Sequence, residues 1–289
     1  MRIISGTTSK SIGEDLSKSL KSRIVDTIIK RFPDGELYIR ILDNIQDEDI
    51  VLIQNTYPDL NLIELLLMQD AIREAGANKI ITIIPYFGYA RQDKIFQKGE
   101  VISAKSLAKL ISINSNQVVT IDPHKEHILD FFSIPASSIS AINDLSYYLK
   151  DKDLDLILAP DKGAVDRVKN AAKIINCDFD YMEKTRIDGY NIQVKPKNLD
   201  VKNKNIAIID DIISTGGTMA VSINELKKQK AKKIYVCYTH GLFIGDAIRK
   251  LNSVKCDEII STDTILTQFS KVKLANTISR FLKIKKLFD

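Results

Sequence analysis

The sequence predicts an α/β protein made of mostly parallel sheets with helices on their faces. Short runs of Ile, Val and Leu recur along the chain, which is typical of parallel strands buried on both sides. Amphipathic stretches with helical spacing separate these runs, and such alternation favours right-handed crossovers. The predicted strands are residues 2–5, 50–54, 79–85, 117–121, 154–159, 205–209, 233–238 and 258–261, and the predicted helices include 61–75, 103–113, 163–175 and 219–230.

Two interruptions of this rhythm define the domain organisation. Residues 24–42 predict an antiparallel hairpin around a turn-forming Pro-Asp-Gly sequence. The apolar pattern weakens over residues 137–144, and a second series of strands and helices then begins. We therefore expect two α/β domains of similar size, residues 1–142 and 143–289.

Composition restricts the class of protein. The 289 residues are 44% hydrophobic and 27% charged, which is typical of a soluble globular chain. The net charge of +5 comes without a long basic block, so small anionic substrates are favoured over nucleic acid. No apolar run approaches the roughly 20 residues of a membrane helix, and no signal-peptide core is present. We expect a cytoplasmic protein without membrane contact, with Cys177, Cys237 and Cys256 as buried thiols.

The stretch IAIIDDIISTGGTM, residues 206–219, predicts a ligand site. A buried strand that ends at Ile209 would place Asp210 and Asp211 at the carboxyl edge of the sheet, where open α/β sheets bind ligands. The loop that follows contains Ser214, Thr215, Gly216, Gly217 and Thr218. Glycines allow close approach of the backbone to an anion at a helix N-terminus, so a phosphate in the loop and a diol on the acids would together hold a sugar phosphate. An ordinary strand-to-helix turn with solvated acids is the alternative.

These residues resemble the 5-phosphoribosyl-1-pyrophosphate (PRPP) binding motif of type I phosphoribosyltransferases. In that family the loop binds the 5-phosphate and the acids bind the ribose 2- and 3-hydroxyls. The resemblance implies these roles for residues 214–218 and for Asp210 and Asp211, with Ser214 standing where many members have a third acid. By itself the motif would predict a base phosphoribosyltransferase.

Further segments resemble, in matching order, the ribose-phosphate pyrophosphokinase family. They are RFPDGELYIR (31–40), IPYFGYARQDK (84–94), TIDPHKEHILDFF (120–132), APDKGAVDR (159–167), EKTRID (183–188) and YTHGLF (238–243). This resemblance implies two tandem phosphoribosyltransferase-like domains, with ATP-binding loops in the first and the ribose 5-phosphate loop in the second. It also implies an enzyme of nucleotide biosynthesis.

Two segments are candidates for binding ATP. Arg91, Gln92 and Asp93 follow a cluster of aromatic residues at 86, 87 and 89. An arginine pairs with phosphates, an amide and an acid can read an adenine edge, and aromatic rings stack on a base. Taken alone, the triplet is more typical of a solvated loop. The resemblance implies that it binds ATP.

The second candidate segment is the hairpin turn. Phe32, Asp34 and Glu36 alternate, so in an extended strand they would share one face. A turn with surface acids is an equally good interpretation. The resemblance implies that this loop reaches the ATP of a neighbouring subunit, and hence a homo-oligomer, with a dimer as the minimal unit, that shares its active site.

The candidate metal ligands are His124 and Asp161, each placed just after a predicted strand. The resemblance implies that both positions act around magnesium. Mg²⁺ prefers oxygen ligands and keeps several waters, so Asp161 is the more natural direct ligand, whereas a histidine would suit Mn²⁺ or Co²⁺. His127 is expected on the surface of the helix that follows.

Lys184 and Arg186 are the candidate catalytic cations. They begin a polar stretch, residues 184–203, that predicts a mobile loop with a short strand near 191–194. Two cations could close over a polyphosphate and stabilise charge that develops during transfer. A solvated charged loop is the simpler interpretation of the triplet, and the resemblance implies that both side chains are catalytic.

The resemblance implies transfer of the β,γ-diphosphoryl group of ATP to the C1 hydroxyl of ribose 5-phosphate, which gives PRPP and AMP. Three alternatives belong to other classes. They are a base phosphoribosyltransferase, a non-catalytic regulatory subunit and a nucleic-acid-binding regulator. The first leaves the N-terminal motifs unused, the second would have lost the metal or loop residues, and the third would need a concentrated basic face.

Overall fold

The computed structural model describes residues 1–186, 192–196 and 200–287, with backbone alone at 184–186 and 192–196. The strands are β1 Arg2–Ser5, β2 Thr27–Arg31, β3 Leu37–Ile41, β4 Asp49–Ile53, β5 Lys79–Ile84, β6 Gln117–Ile121, β7 Ala136–Ile139, β8 Leu156–Ala159, β9 Asp178–Arg186, β10 Ile192–Pro196, β11 Asn205–Ile213, β12 Lys233–Gly241, β13 Glu258–Thr262 and β14 Ser270–Val272. The α-helices are α1 Lys10–Leu20, α2 Asp59–Glu74, α3 Ser103–Ser112, α4 Ile142–Leu149, α5 Val165–Ile175, α6 Gly217–Lys228, α7 Ala247–Val254 and α8 Ala275–Ile284. The predicted α/β class is confirmed.

The first compact unit contains residues 1–140 and the C-terminal segment from Leu274. Its parallel sheet has five strands in the order β1-β4-β5-β6-β7. The last four residues of β4 are fully buried, because apolar side chains on α2 and α3 belong to the same core as those of the sheet. Burial on both faces explains the continuous Ile and Val runs in the sequence.

The hairpin predicted over residues 24–42 is present as a separate two-stranded sheet. β2 and β3 pair antiparallel, with Thr27 opposite Ile41, and Gly35 has φ 94° in the turn between them. Ile29 and Ile39 pack against the core of the first unit, whereas residues 31–36 are exposed. The hairpin therefore has an anchored base and an open tip.

The second compact unit, Ala141–Lys273, contains a seven-stranded sheet in the order β10-β9-β8-β11-β12-β13-β14. All pairs are parallel except β9 with β10. β11 lies between β8 and β12 and is almost entirely buried, so its carboxyl end lies at the centre of the sheet edge.

The chain divides differently from the predicted boundary at residue 142. The first unit ends at Ser140 and also includes α8, which the sequence assigned to the second domain. α8 packs against α1, with Ile278 and Leu282 buried, and Ser19 Oγ donates to Asn276 Oδ1 at 3.0 Å. The apolar stripe of α8 is visible in the sequence, but a stripe does not identify the surface that covers it.

The loop predicted over residues 184–203 is partly wrong. Lys184 and Arg186 lie in β9, where the backbone of Lys184 is opposite Val194 of β10. The predicted strand at 191–194 is present as Ile192–Pro196. The remaining parts of this predicted loop, at 187–191 and 197–199, lie outside the described residues.

The thiols are less buried than predicted. Cys237 is fully buried, whereas Cys177 and Cys256 are partly exposed, and all three are free. Burial raises the pKa of the Cys177 thiol to about 11, which keeps it protonated and weakly nucleophilic at neutral pH.

Among the described helices, none combines the length and the apolar character needed to cross a bilayer.

A buried carboxylate fixes the loop after β1. Glu64 on α2 is 1% exposed and accepts hydrogen bonds from Thr7 N at 2.6 Å, Thr7 Oγ1 at 2.8 Å and Gln54 Nε2 at 2.9 Å. Gln54 Oε1 in turn accepts from Thr8 Oγ1 at 2.8 Å. The network connects α2, the end of β4 and the loop after β1.

Glu64→Ala is expected to lower the free energy of unfolding by about 3 kcal/mol, because three donors would lose their acceptor inside the fold. Glu74→Ala, at the exposed end of the same helix, is the matched control and should change stability by less than about 0.5 kcal/mol. Urea denaturation of both variants measures the difference. Equal stability of the two variants would contradict a structural role for Glu64.

Candidate active site

The two acids of the 206–219 motif lie inside β11 rather than after it. The predicted strand end at Ile209 is wrong, since β11 continues to Ile213. Its pairing with β8 stops at Ile208, while its pairing with β12 continues to Ile213. Asp210 and Asp211 therefore lie on a part of β11 that is paired with β12 but no longer with β8.

The acids form a closely coupled charge pair. Their side chains are 24% and 9% exposed, and Asp210 Oδ1 accepts from Asp211 N at 2.9 Å. Burial and then the neighbouring Asp211 raise the pKa of Asp210 well above its usual range. Arg167 opposes this rise, because its Nη1 lies 3.7 Å from Asp210 Oδ1 and 3.8 Å from Asp211 Oδ1.

The loop after β11 has the geometry of an anion cradle. Gly216 has φ 70° directly before α6, and a Cβ there would lie 3.3 Å from Ala247 O, so glycine suits both the backbone and the space. Ser214 O accepts from Ile244 N at 3.0 Å, which fixes the start of the loop. The first N–H groups of a helix have no intrahelical partner, and α6 has no acidic residue in its first turn to occupy them. The predicted loop residues Thr215, Gly217 and Thr218 are exposed or partly exposed around this turn.

The predicted metal ligands follow strands, as expected. Asp161 comes after β8, the neighbour of β11, and its Oδ1 accepts from Gly163 N at 2.9 Å. His124 comes after β6 in the first unit and is partly exposed. Within the described ranges no group of three or more His, Cys, Asp or Glu residues could hold a metal ion. A single carboxylate such as that of Asp161 suits Mg²⁺ that keeps water or phosphate ligands.

In the segment after β5, only some of the predicted ATP-binding residues are exposed. Arg91 is exposed and Gln92 is partly exposed, whereas Asp93 is 8% exposed. The aromatic residues differ in the same way: Tyr86 and Phe87 are buried in the first unit, and only Tyr89 is open, with its hydroxyl donating to Asp59 Oδ1 at 2.7 Å. Of these three aromatic residues, Tyr89 is therefore the one that can stack on a ligand.

Asp93 joins two of the predicted segments. Its Oδ2 lies 3.2 Å from Nε2 of His127, which stands on a short 3-10 helix, Glu126–Phe131, three residues beyond His124. His127 is 49% exposed, as expected of a surface residue, but it also makes this specific contact. Since β5 and β6 are neighbours, their carboxyl ends bring the 91–93 segment and the segment after His124 together.

The tip of the hairpin is a turn rather than an extended strand. Phe32 N donates to Glu36 O at 2.9 Å, and Asp34 Oδ1 accepts from Glu36 N at 3.0 Å, so the alternation of the three residues does not place them on one strand face. Phe32 is 45% exposed with its ring edge-on to Tyr38. All three predicted residues remain accessible.

Sequence reasoning missed two residues that organise these segments. Arg167 was detectable as a cation in the first turn of a helix, where the helix dipole disfavours positive charge. No feature of the sequence marks Glu100 in a comparable way. Its Oε2 accepts from Phe96 N at 2.7 Å, Gln97 N at 2.9 Å and Gln92 Nε2 at 3.3 Å, and the backbone bonds from Gln97 and Phe96 lower its pKa.

Comparison with known families agrees with this arrangement. The N-terminal domain of ribose phosphate pyrophosphokinase matches residues 1–114, and the phosphoribosyl transferase domain matches residues 133–271. The fold and the site thus define a protein with two phosphoribosyltransferase-type domains in tandem. The chain belongs to the ribose-phosphate pyrophosphokinase family.

Relatives cover nearly the full chain. The ribose-phosphate pyrophosphokinase of Pyrococcus abyssi is 38% identical over 276 residues, which are 94% of this chain and 95% of that protein. That of Thermococcus kodakarensis is 40% identical, covering 90% and 93%. The crystal structure of phosphoribosylpyrophosphate synthetase from Mycobacterium smegmatis superimposes with a TM-score of 0.88 at 26% identity, covering 99% and 98%. The resemblance seen in the sequence is confirmed at the level of the family.

Asp210→Asn is expected to stabilise the ligand-free protein by about 1 kcal/mol at pH 7. A raised pKa means that the folded state binds the Asp210 proton more tightly than the unfolded state, so wild-type stability falls as the pH rises above about 4. The variant has no carboxyl group at position 210 and so does not lose stability in this way. Its higher free energy of unfolding relative to the wild type should therefore disappear below about pH 4. Urea denaturation at pH 7 and below about pH 4 measures the difference in the free energy of unfolding between Asp210→Asn and the wild type. Asp151→Asn, which changes an exposed acid, is the control. A loss of stability at pH 7 would contradict the prediction.

Proposed function

We propose that this chain transfers the β,γ-diphosphoryl group of ATP to the C1 hydroxyl of ribose 5-phosphate and releases PRPP and AMP. The observation that carries the proposal is likeness along nearly the whole chain, in both domains, to proteins named ribose-phosphate pyrophosphokinase. Both the ATP-side motifs and the sugar-phosphate motif are retained.

The acceptor sugar phosphate is assigned to the second unit. Residues 214–218 and the N-terminus of α6 bind the 5-phosphate, and Asp210 and Asp211 accept hydrogen bonds from the 2- and 3-hydroxyls. Support comes from the positive φ of Gly216, which turns the backbone into the helix, and from the end of the β8 pairing just before the two acids. Together these groups would orient the C1 hydroxyl for attack on the β-phosphorus.

The donor nucleotide is assigned to the exposed groups of the first unit. Arg91 pairs with phosphate oxygens, Gln92 reads the base, and Tyr89 or Phe32 stacks on it. Asp34 and Glu36 at the hairpin tip complete the predicted set. Asp93 is buried against His127, which supports a role in holding the segment rather than in contacting the base.

Charge neutralisation is assigned to Lys184 and Arg186 of β9, which would stabilise the bridging and β-phosphate oxygens during transfer.

Bound Mg²⁺ would supply further neutralisation of the polyphosphate, and Mn²⁺ or Co²⁺ could replace it. Asp161, whose Oδ1 accepts from Gly163 N just after β8, would hold the ion, and His124 stays the second predicted metal residue. A cytoplasmic location stays a prediction from the sequence.

The test is to mix the purified protein with ATP, Mg²⁺ and ribose 5-phosphate and to assay AMP and PRPP together. Equimolar products are expected. Lys184→Ala should lower kcat by a factor of about 100 or more, because it removes one charge that stabilises the transition state. Lys228→Ala, on the exposed face of α6, is the matched control and should leave the rate unchanged.

Absence of both products with Mg²⁺, Mn²⁺ and added phosphate would overturn the proposal. Release of pyrophosphate from PRPP and a purine base would then indicate a base phosphoribosyltransferase. PRPP binding without any turnover would indicate a regulatory subunit.

A homo-oligomer with a shared active site is part of the proposal, since the exposed hairpin tip is separate from the main sheet of its own unit. Phe32→Ala and Lys184→Ala are each expected to be weakly active. Hybrid dimers, purified through two different tags, should recover about half of the wild-type rate, because one of their two sites would be intact. Hybrids no more active than their parents would place each complete site within one chain.

A further inference from the structure

Arg167 occupies an unfavourable position for a cation. It is the third residue of α5, in the first turn, where the helix dipole disfavours positive charge. Its side chain is only 18% exposed, although an arginine at a helix surface could extend into water. Something on the sheet side must therefore stabilise it.

The stabilising groups are the two acids of β11. The guanidinium Nη1 lies 3.7 Å from Asp210 Oδ1 and 3.8 Å from Asp211 Oδ1, so one cation faces both carboxylates. The guanidinium partly offsets the repulsion between the carboxylates.

The distances say how the cation acts. Hydrogen bonds from N–H to O lie mostly between 2.7 and 3.2 Å, so contacts of 3.7 and 3.8 Å are ion pairs without good hydrogen bonds. Arg167 therefore acts on the two carboxylates through its charge and its position rather than through directed hydrogen bonds.

We propose that Arg167 is a positioning residue for the sugar, which holds Asp210 and Asp211 together as a paired acceptor for a vicinal diol. This inference rests on the proposed function for the identity of the sugar phosphate. It adds a residue that the motif at 206–219 does not contain and that acts through the acids without touching the reacting atoms. Recognition of the 2-hydroxyl should depend on it, because a paired acceptor distinguishes a diol from a 2-deoxy sugar.

The experiment compares Arg167→Gln, Arg167→Lys and Arg249→Gln. The last removes an arginine of the same unit that is 80% exposed and paired with Asp246, and so serves as the matched control. For Arg167→Gln we expect the KM for ribose 5-phosphate to rise by a factor of about 10 to 100, with the KM for ATP unchanged. The preference for ribose 5-phosphate over 2-deoxyribose 5-phosphate, measured as a ratio of kcat/KM, should fall about tenfold.

The variant Arg167→Lys keeps the positive charge, and so distinguishes the loss of that charge from a general folding defect. Arg167→Lys should recover part of the affinity and of the preference, since the ion pairs need a cation rather than a fork of donors. Circular dichroism should show the same fold for all three variants. An unchanged KM and sugar preference in a folded Arg167→Gln protein would overturn the inference while leaving the proposed function intact.

Failure of the proposed function is recognised separately. If the wild-type protein forms no PRPP, calorimetric titration with ribose 5-phosphate replaces the kinetic assay. Weaker binding by Arg167→Gln, by a factor of about 10 or more, would support the positioning role without catalysis. Equal affinity of the two proteins, or no binding by the wild type, would overturn it.

Discussion

Two adjacent carboxylates near the end of a buried strand repel each other, and the charge they carry is the constraint around which the second unit is arranged. The strand must be buried to form the centre of a seven-stranded sheet, yet Asp210 and Asp211 cannot be buried as an isolated pair of charges. Two features reconcile these demands. β8 stops pairing before the acids begin, and Arg167 approaches both from α5.

The result is a pair of acids whose ionisation is opposed by burial and by mutual repulsion. Burial and like-charge repulsion raise the pKa of Asp210, so the folded chain carries an electrostatic cost at the point where a ligand would compensate for it. Perturbed acids of this kind occur frequently at functional sites. The parallel pairing of β11 with β12, and the hydrogen bond from Ile244 N to Ser214 O, hold the loop that follows the acids.

In the first unit, side-chain carboxylates hold the loops that contain the predicted site residues. These loops follow β5 and β6. Glu100 gathers two backbone N–H groups and Gln92, Asp93 contacts His127, and Glu64 fixes the loop after β1. In each case a carboxylate occupies a structural position, and Arg91 and Tyr89 are among the neighbouring side chains that remain exposed.

The sequence by itself determined the α/β class, most strands and helices, the hairpin and the family, because these depend on local periodicity and on contiguous motifs. It located the 214–218 loop for the same reason. Only the tertiary structure decided which acids share a cation, that Asp93 is held by His127, that Phe87 is core rather than site, and that α8 belongs to the first unit. These features join residues more than thirty positions apart in the sequence, and no local pattern records which distant surface a side chain will meet.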